Sequence, residues 1–258
     1  AMVSALTVGT VAGTMATSGI TPAAALAVST SQAAGISPGA GILSLSSASL
    51  TTTLNGIVAA GGKWLRVDVA WPSVEPTQGS LNFSGPDRVV QAAVADGLQV
   101  DALLAYTPSW AQEPGNQYPN PAYFAAFASA AASHYSSMGV HTFEIWNEPN
   151  LASNWGTTVS PSAYAQLLVQ GYNAIKAADA SSFVLSGGLS PAVDASSGSQ
   201  MSPGTFLTDM YQAGAGGHMD AVGIHPYSYP YDPMTVGAWN TFYEMPTFHQ
   251  IMVNNGDG

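Results

Sequence analysis

The chain has no cysteine and very little charge. With no Cys among 258 residues, disulfides, thiolate metal sites and a thiol nucleophile are all excluded. Charged residues make up only 7% of the chain, far below the share usual in soluble domains. Cations are scarcest: Lys63, Arg66, Arg88 and Lys176 stand against fifteen Asp and Glu, for a net charge of −11. Four cations cannot neutralise a run of phosphates, so neither nucleic acid nor an anionic membrane surface is an expected partner. An anionic polysaccharide is disfavoured on the same ground, less firmly, because a local site can override the global field. His134, His141, His218 and His225 show no ligand spacing with a carboxylate. No metal or other cofactor is expected.

What is present is apolar: 47% of the residues are hydrophobic, enough for a sizeable core. No charge precedes Lys63, and the apolar small-residue stretch from Met2 to Val28 ends in Ala23-Ala24-Ala25-Leu26-Ala27. That ending has the form of a secretory cleavage site, although the basic n-region is missing. Residues 1–30 are therefore read as a leader remnant or Ala-rich arm, and the protein as exported. The stretch is too rich in Gly, Ser and Thr for a membrane-spanning helix.

From residue 31 onward, short apolar runs alternate with amphipathic ones, the pattern of repeated βα units on a parallel sheet. Strands are expected over 32–36, 63–69, 98–105, 141–146, 182–186 and 219–225. Helices are expected over 46–60, 86–96, 121–138, 160–178 and 203–213, with another starting at 247. Gly61, Gly97 and Gly139 stand where helices should stop, and Ser160-Pro161 where one should start. This gives six βα units in residues 31–258, where a closed (β/α)8 TIM barrel has eight.

The fourth run ends in Trp146-Asn147-Glu148-Pro149-Asn150. A Glu at the end of a buried strand, with Pro stopping the ladder, is placed at a rim. Side chains alternate along a strand, so Glu144, Trp146 and Glu148 should share a face, as should Arg66 and Asp68, and Gly223 and His225. If those faces line the barrel axis, Arg66, Glu148 and His225 converge at its C-terminal mouth. Plainer readings exist: Arg66 paired with Glu144 or Asp68, His225 as a satisfied core histidine, Glu148 in a rim ion pair. Glu144 lies below the rim and is read as structural, in need of a buried donor. Aromatic residues (Trp71, Tyr106, Trp110, Tyr118, Trp155, Tyr227, Tyr229 and Tyr231) crowd the expected mouth. Flat rings with polar edges suit sugar faces, and Trp110 and Trp155 are the best candidates for such contacts.

These residues carry a resemblance. The fourth-strand run is similar to the acid/base signature of clan A glycoside hydrolases, retaining glycosidases built on (β/α)8 barrels. The stretches 64–71 with Glu75-Pro76 and Gly79, 101–110, Gly187-Gly188, and Ile224-His225-Pro226-Tyr227 resemble the matching strands of families 39 and 5, family 39 more closely. The resemblance covers residues 33–255 and implies Glu148 as general acid/base, with Arg66, Asn147, His225 and Tyr227 in the site. Asn147 would offer its amide to a sugar 2-hydroxyl, and Glu148 needs surroundings that raise its hold on a proton. The implied substrate is a neutral β-linked oligo- or polysaccharide. The pattern departs from the family at the nucleophile, a Glu ending the seventh strand. Of the later acids, only Glu244 in an aromatic loop is a tempting substitute. The expectation is a nucleophile beyond Gly258 and no retaining activity in this chain alone. The open barrel edges would then be covered by a complementing chain, a swapped copy or a dimer. The alternative is a carbohydrate-binding pseudoenzyme.

Overall fold

A computed structural model describes residues 34–258. The expected leader and the start of the first expected strand lie outside them. Five parallel strands form one sheet in chain order: β1 (Gly35–Ile36), β2 (Trp64–Ala70), β3 (Gln99–Ala105), β4 (Thr142–Asn147) and β5 (Phe183–Gly188). Between and after them run α1 (Ser47–Ala59), the short α2 (Trp71–Val74), α3 (Ser84–Ala95), α4 (Pro121–Ser136), the short α5 (Ala152–Trp155), α6 (Pro161–Ala178), α7 (Pro203–Gln212) and α8 (Met245–Asn254). This is part of a (β/α)8 barrel. Among the described residues no helix is long and apolar enough to cross a membrane.

Local chemistry explains the boundaries. Ser160 caps α6 by accepting from the Ala163 N–H, and Pro161 opens the helix. Asn120 does the same for α4, accepting from the N–H groups of Ala122 and Tyr123. Gly61, Gly97 and Gly139 end α1, α3 and α4 in left-handed conformations with φ of 85°, 78° and 81°. In β2, Leu65, Val67 and Val69 are buried against the helices, while Arg66 and Asp68 point into the half-open lumen.

Trp71, Phe124, Phe127, Tyr135, Phe143, Trp146, Tyr164 and Phe206 fill the layer between sheet and helices. Trp71, expected at the mouth, is instead core: its ring stacks on Phe127 at 5.3 Å and meets Phe124 edge-on. Tyr164 of α6 pins the sheet, donating to the Ile145 carbonyl at 2.9 Å and accepting from the Gly187 N–H at 2.7 Å.

The sixth expected strand is present only as two isolated parallel bridges, Leu185 to Ala221 and Leu189 to Ile224. Side chains interrupt its ladder. The Val184 N–H donates to the Asp220 carboxylate at 2.8 Å, and the Gly223 N–H to the Ser186 hydroxyl at 3.1 Å, in place of backbone carbonyls.

Phe124 is fully buried where α4 meets Trp71 and Trp146. Phe124→Ala is expected to cost about 3–5 kcal/mol of stability, read from denaturant midpoints. A cost below about 1 kcal/mol would contradict this packing.

Candidate functional site

The site is built from the middle of β2 and the C-terminal ends of β4 and β5. Arg66 lies directly opposite Asp101 of β3 in the ladder, yet its guanidinium reaches past β3. Its Nε donates to Glu144 Oε2 at 2.5 Å and its Nη2 to Asn147 Oδ1 at 3.0 Å. The second Glu144 oxygen accepts from the Gly188 N–H at 2.9 Å. Glu144 thus has the donors its burial demands, and the plainer reading of Arg66 as its partner holds alongside the contact with Asn147.

One cation serves three acids here. Burial pushes Glu144 towards its neutral form, but Arg66 outweighs this and holds the carboxyl below its ordinary value. Burial pushes Asp101 well up, and the Glu144 charge adds to the effect. Of these packed carboxyls, Glu144 is favoured as the anion and Asp101 is the one whose hold on a proton is strengthened. Asp101 Oδ1 finds no hydrogen-bond donor of its own. Asp68 is also raised, by burial first and Glu144 last, with Arg66 opposing.

At the rim, Glu148 is held by both oxygens. His225 Nδ1 lies 2.8 Å from Oε1, and Asn154 Nδ2 donates to Oε2 at 2.8 Å. The Glu148 N–H donates to the Gly188 carbonyl at 3.1 Å. Gly188 has to be glycine, because a Cβ there would fall 2.3 Å from His225 Nε2. The His225 backbone carbonyl accepts from the buried Thr241 hydroxyl at 2.6 Å. Tyr227 stands beside the imidazole, its ring centre 5.5 Å away.

The expected convergence of Arg66, Glu148 and His225 is observed, with Asn147 joining them, but not by simple alternation. Trp146 has φ 78° and Glu148 φ 51°, both left-handed. The turn at Trp146 swings its ring away from the lumen onto Phe124 and Trp155. Asn147 takes the inward position and Glu148 is carried up to the rim. Non-glycine residues in this region are strained and cluster at functional sites.

Two expectations are corrected. Trp155 is no open platform: it is 2% exposed, packed between Tyr118, Trp146 and Tyr164, its indole N–H unpartnered. Trp110 packs edge-on against Trp71 and donates its N–H to the Glu75 carbonyl. Apolar burial decides the placement of Trp155, whereas Trp110 stays half-buried. Glu148, expected to hold its proton more tightly, is lowered. Burial pushes it up, but the hydrogen bonds and charge of His225, with Ser190 and Asn154, prevail.

Sequence reasoning missed Asn154, Asp101, Ser190 and Thr241. Nothing in their local pattern marks them, since each acts through a contact distant in sequence or within an irregular loop. Of the later acids, Asp179, Asp194, Asp220 and Asp257 accept structural hydrogen bonds elsewhere, and Glu244 sits at the start of α8. Among the described residues no three His, Asp or Glu are placed to share a metal ion.

Asp101 gives a test of the buried network. Its folded-state proton affinity is raised, so its contribution to stability is full below the ordinary Asp range and is lost as pH rises through the folded value. Asp101→Asn keeps a donor for Glu144 and removes the ionisable group. The variant should gain about 1–3 kcal/mol over the parent at alkaline pH and nothing at acid pH. Equal pH dependence of the two denaturant midpoints would contradict the assignment.

Residues 30–245 match the sequence profile of Cellulase (glycosyl hydrolase family 5). No curated protein matches the chain. Among solved structures, it is 25% identical to a family 39 glycoside hydrolase from the gut symbiont Bacteroides cellulosilyticus WH2, with a TM-score of 0.59 over 71% of this chain and 36% of that one. It is 23% identical to a monomeric β-xylosidase from Caulobacter crescentus CB15, TM-score 0.57, over 75% of this chain and 41% of that one. A GH30 xylanase C catalytic domain from Talaromyces cellulolyticus is 18% identical, TM-score 0.53, over 74% and 52%. The chain therefore spans about a third to a half of the length of these proteins. The family 39 likeness expected from the strands is seen in structure, while the matching sequence profile is that of its clan neighbour. By its profile and its barrel, the chain belongs to glycosyl hydrolase family 5.

Proposed function

We propose that the protein is a retaining hydrolase of neutral β-linked glycans, with Glu148 as general acid and base. The observation that carries this is the placement of Glu148: at the end of β4, on a left-handed residue, with a donor on each oxygen and Asn147 beside it. Glu148 protonates the leaving oxygen as the glycosidic bond breaks, then takes a proton from the incoming water. Asn147, fixed by Arg66 through its carbonyl oxygen, keeps its NH2 group for the sugar 2-hydroxyl. His225 and Tyr227 form the wall on the far side of Glu148.

A neutral substrate fits the electrostatics. Arg66 is the cation of the site, and Glu144 already neutralises it. The similar structures include a β-xylosidase, a xylanase and an exo-β-1,4-mannosidase by their titles, which favours that class here. The apolar leader-like segment ending at Ala27 supports an exported enzyme.

The attacking carboxylate in this reading comes from outside residues 34–258, on a segment or partner completing the barrel, so these residues alone do not turn over. Azide can stand in for it: azide attacks the anomeric carbon of an aryl β-glycoside, and the aryloxide leaves with the Glu148 proton. The 258-residue chain is expected to be inert alone and to yield α-glycosyl azide with azide present. Glu148→Gln should slow that reaction by about 10²–10⁴ for poor leaving groups and little for good ones. Equal rates for Gln and Glu across the leaving-group series would refute the acid role. Retaining hydrolysis without azide would refute the external nucleophile alone.

A further inference from the structure

We infer that Asn154 is the positioning residue for the Glu148 carboxyl in both of its protonation states, its amide turning over between donor and acceptor. This rests on Glu148 as the acid/base.

The geometry is one-sided in a useful way. Glu148 Oε1 is taken by His225, so Oε2 is the oxygen left to carry and deliver a proton. The Asn154 Nδ2 amide lies against that oxygen at 2.8 Å. An amide NH2 donates to a carboxylate, whereas a protonated carboxyl needs an acceptor. Asn carries both functions on one planar group, and a half-turn about its last bond exchanges them. A serine or lysine at this place would favour one state by charge or reach.

The surroundings hold the residue but leave its amide free to turn. The Trp146 indole N–H donates to the Asn154 backbone carbonyl at 3.0 Å, and the Asn154 N–H donates to Leu151 at 3.0 Å. The backbone is thus anchored from two sides. The amide oxygen has only the exposed Ser153 hydroxyl, at a long 3.4 Å. Beyond it opens a groove of about 210 Å³ walled by Tyr106, Gln112, Gln117, Trp146 and Trp155. Asn154 therefore stands between the proton-carrying oxygen and the groove on its side of the mouth.

The groups facing Glu148 are His225 from the segment after β5, Ser190 from the loop ending β5, Tyr106 from the loop ending β3, and Asn154 from α5, with Glu144 and Arg66 below. Asn154 and Ser190 are the neutral groups among them that can both donate and accept, and Asn154 is the one whose hydrogen bond is made to Oε2.

The test is carboxyl-carbon NMR of Glu148 in the 258-residue chain, with the Asn154 side-chain amide followed in the same titration. The Asn154 signals should move with the Glu148 midpoint. Donation to a charged group is the stronger of the two bonds. Asn154→Leu should therefore raise that midpoint by about one pH unit, and Asn154→Asp, which adds a like charge, by more. An unmoved midpoint in Asn154→Leu would overturn the proposal. So would Asn154 signals that stay flat through the titration in the parent chain, a result that needs no variant to fold. Neither readout depends on hydrolysis, so loss of the acid/base reading in the azide series and loss of this one are separable.

Discussion

The site depends on one ion pair. Arg66 is one of four cations in the chain, and it is spent across the lumen, bridging β2 to β4 over the top of β3. Glu144 is almost wholly buried, and an unpaired carboxylate at that depth would be costly. Arg66 makes that burial tolerable, and the strain falls on Asp101 instead. Asp101 lies opposite Arg66 in the ladder but gets no hydrogen bond from it, so burial and the neighbouring Glu144 charge raise its hold on a proton. The same guanidinium fixes Asn147, so the orientation of a rim residue is set by charge balance several ångströms below it.

A second constraint works through absence of bulk. Gly188 gives its N–H to Glu144 and its carbonyl to the Glu148 N–H, and the His225 ring lies over its Cα. The floor, the rim carboxylate and its histidine partner therefore meet at one residue, which can hold all three only without a side chain. Gly223 is in a like position against β5, where a Cβ would meet the Ser186 carbonyl at 2.4 Å. The end of β5 is where the backbone is packed most closely around the chemistry.

The strands and helices were legible in the sequence because each is announced locally. Gly97 and Gly139 stop helices by adopting φ that other residues resist, and Ser160 caps one with its own hydroxyl. Arg66, Glu148 and His225 were legible because polar groups at the ends of apolar runs have few places to go. Two things were not legible. Counting alternate residues from Glu144 to Glu148 assumes a continuous pleat, and Trp146 breaks it with a left-handed turn that no local residue choice foretells. An aromatic ring on a loop reads the same whether it faces a sugar or a core; Trp155 was settled by Tyr118, Trp146 and Tyr164 closing around it.

The protonation of Glu148 follows from the same accounting. With donors on both oxygens it is stabilised as the anion, and its proton affinity is lowered although burial pushes the other way. That suits a base, but the first step of retaining hydrolysis needs an acid. The upward push of burial in the described surroundings of Glu148 does not outweigh those donors. A second carboxylate about 5–5.5 Å away would supply the rest by like-charge repulsion before any covalent bond forms. Once that carboxylate is consumed in the glycosyl intermediate, the repulsion ends and the donors of His225 and Asn154 reassert the anion. In the proposed reading the attacking group thus does more than attack: its charge would set Glu148 as an acid for the first step, and the loss of that charge would set it as a base for the second.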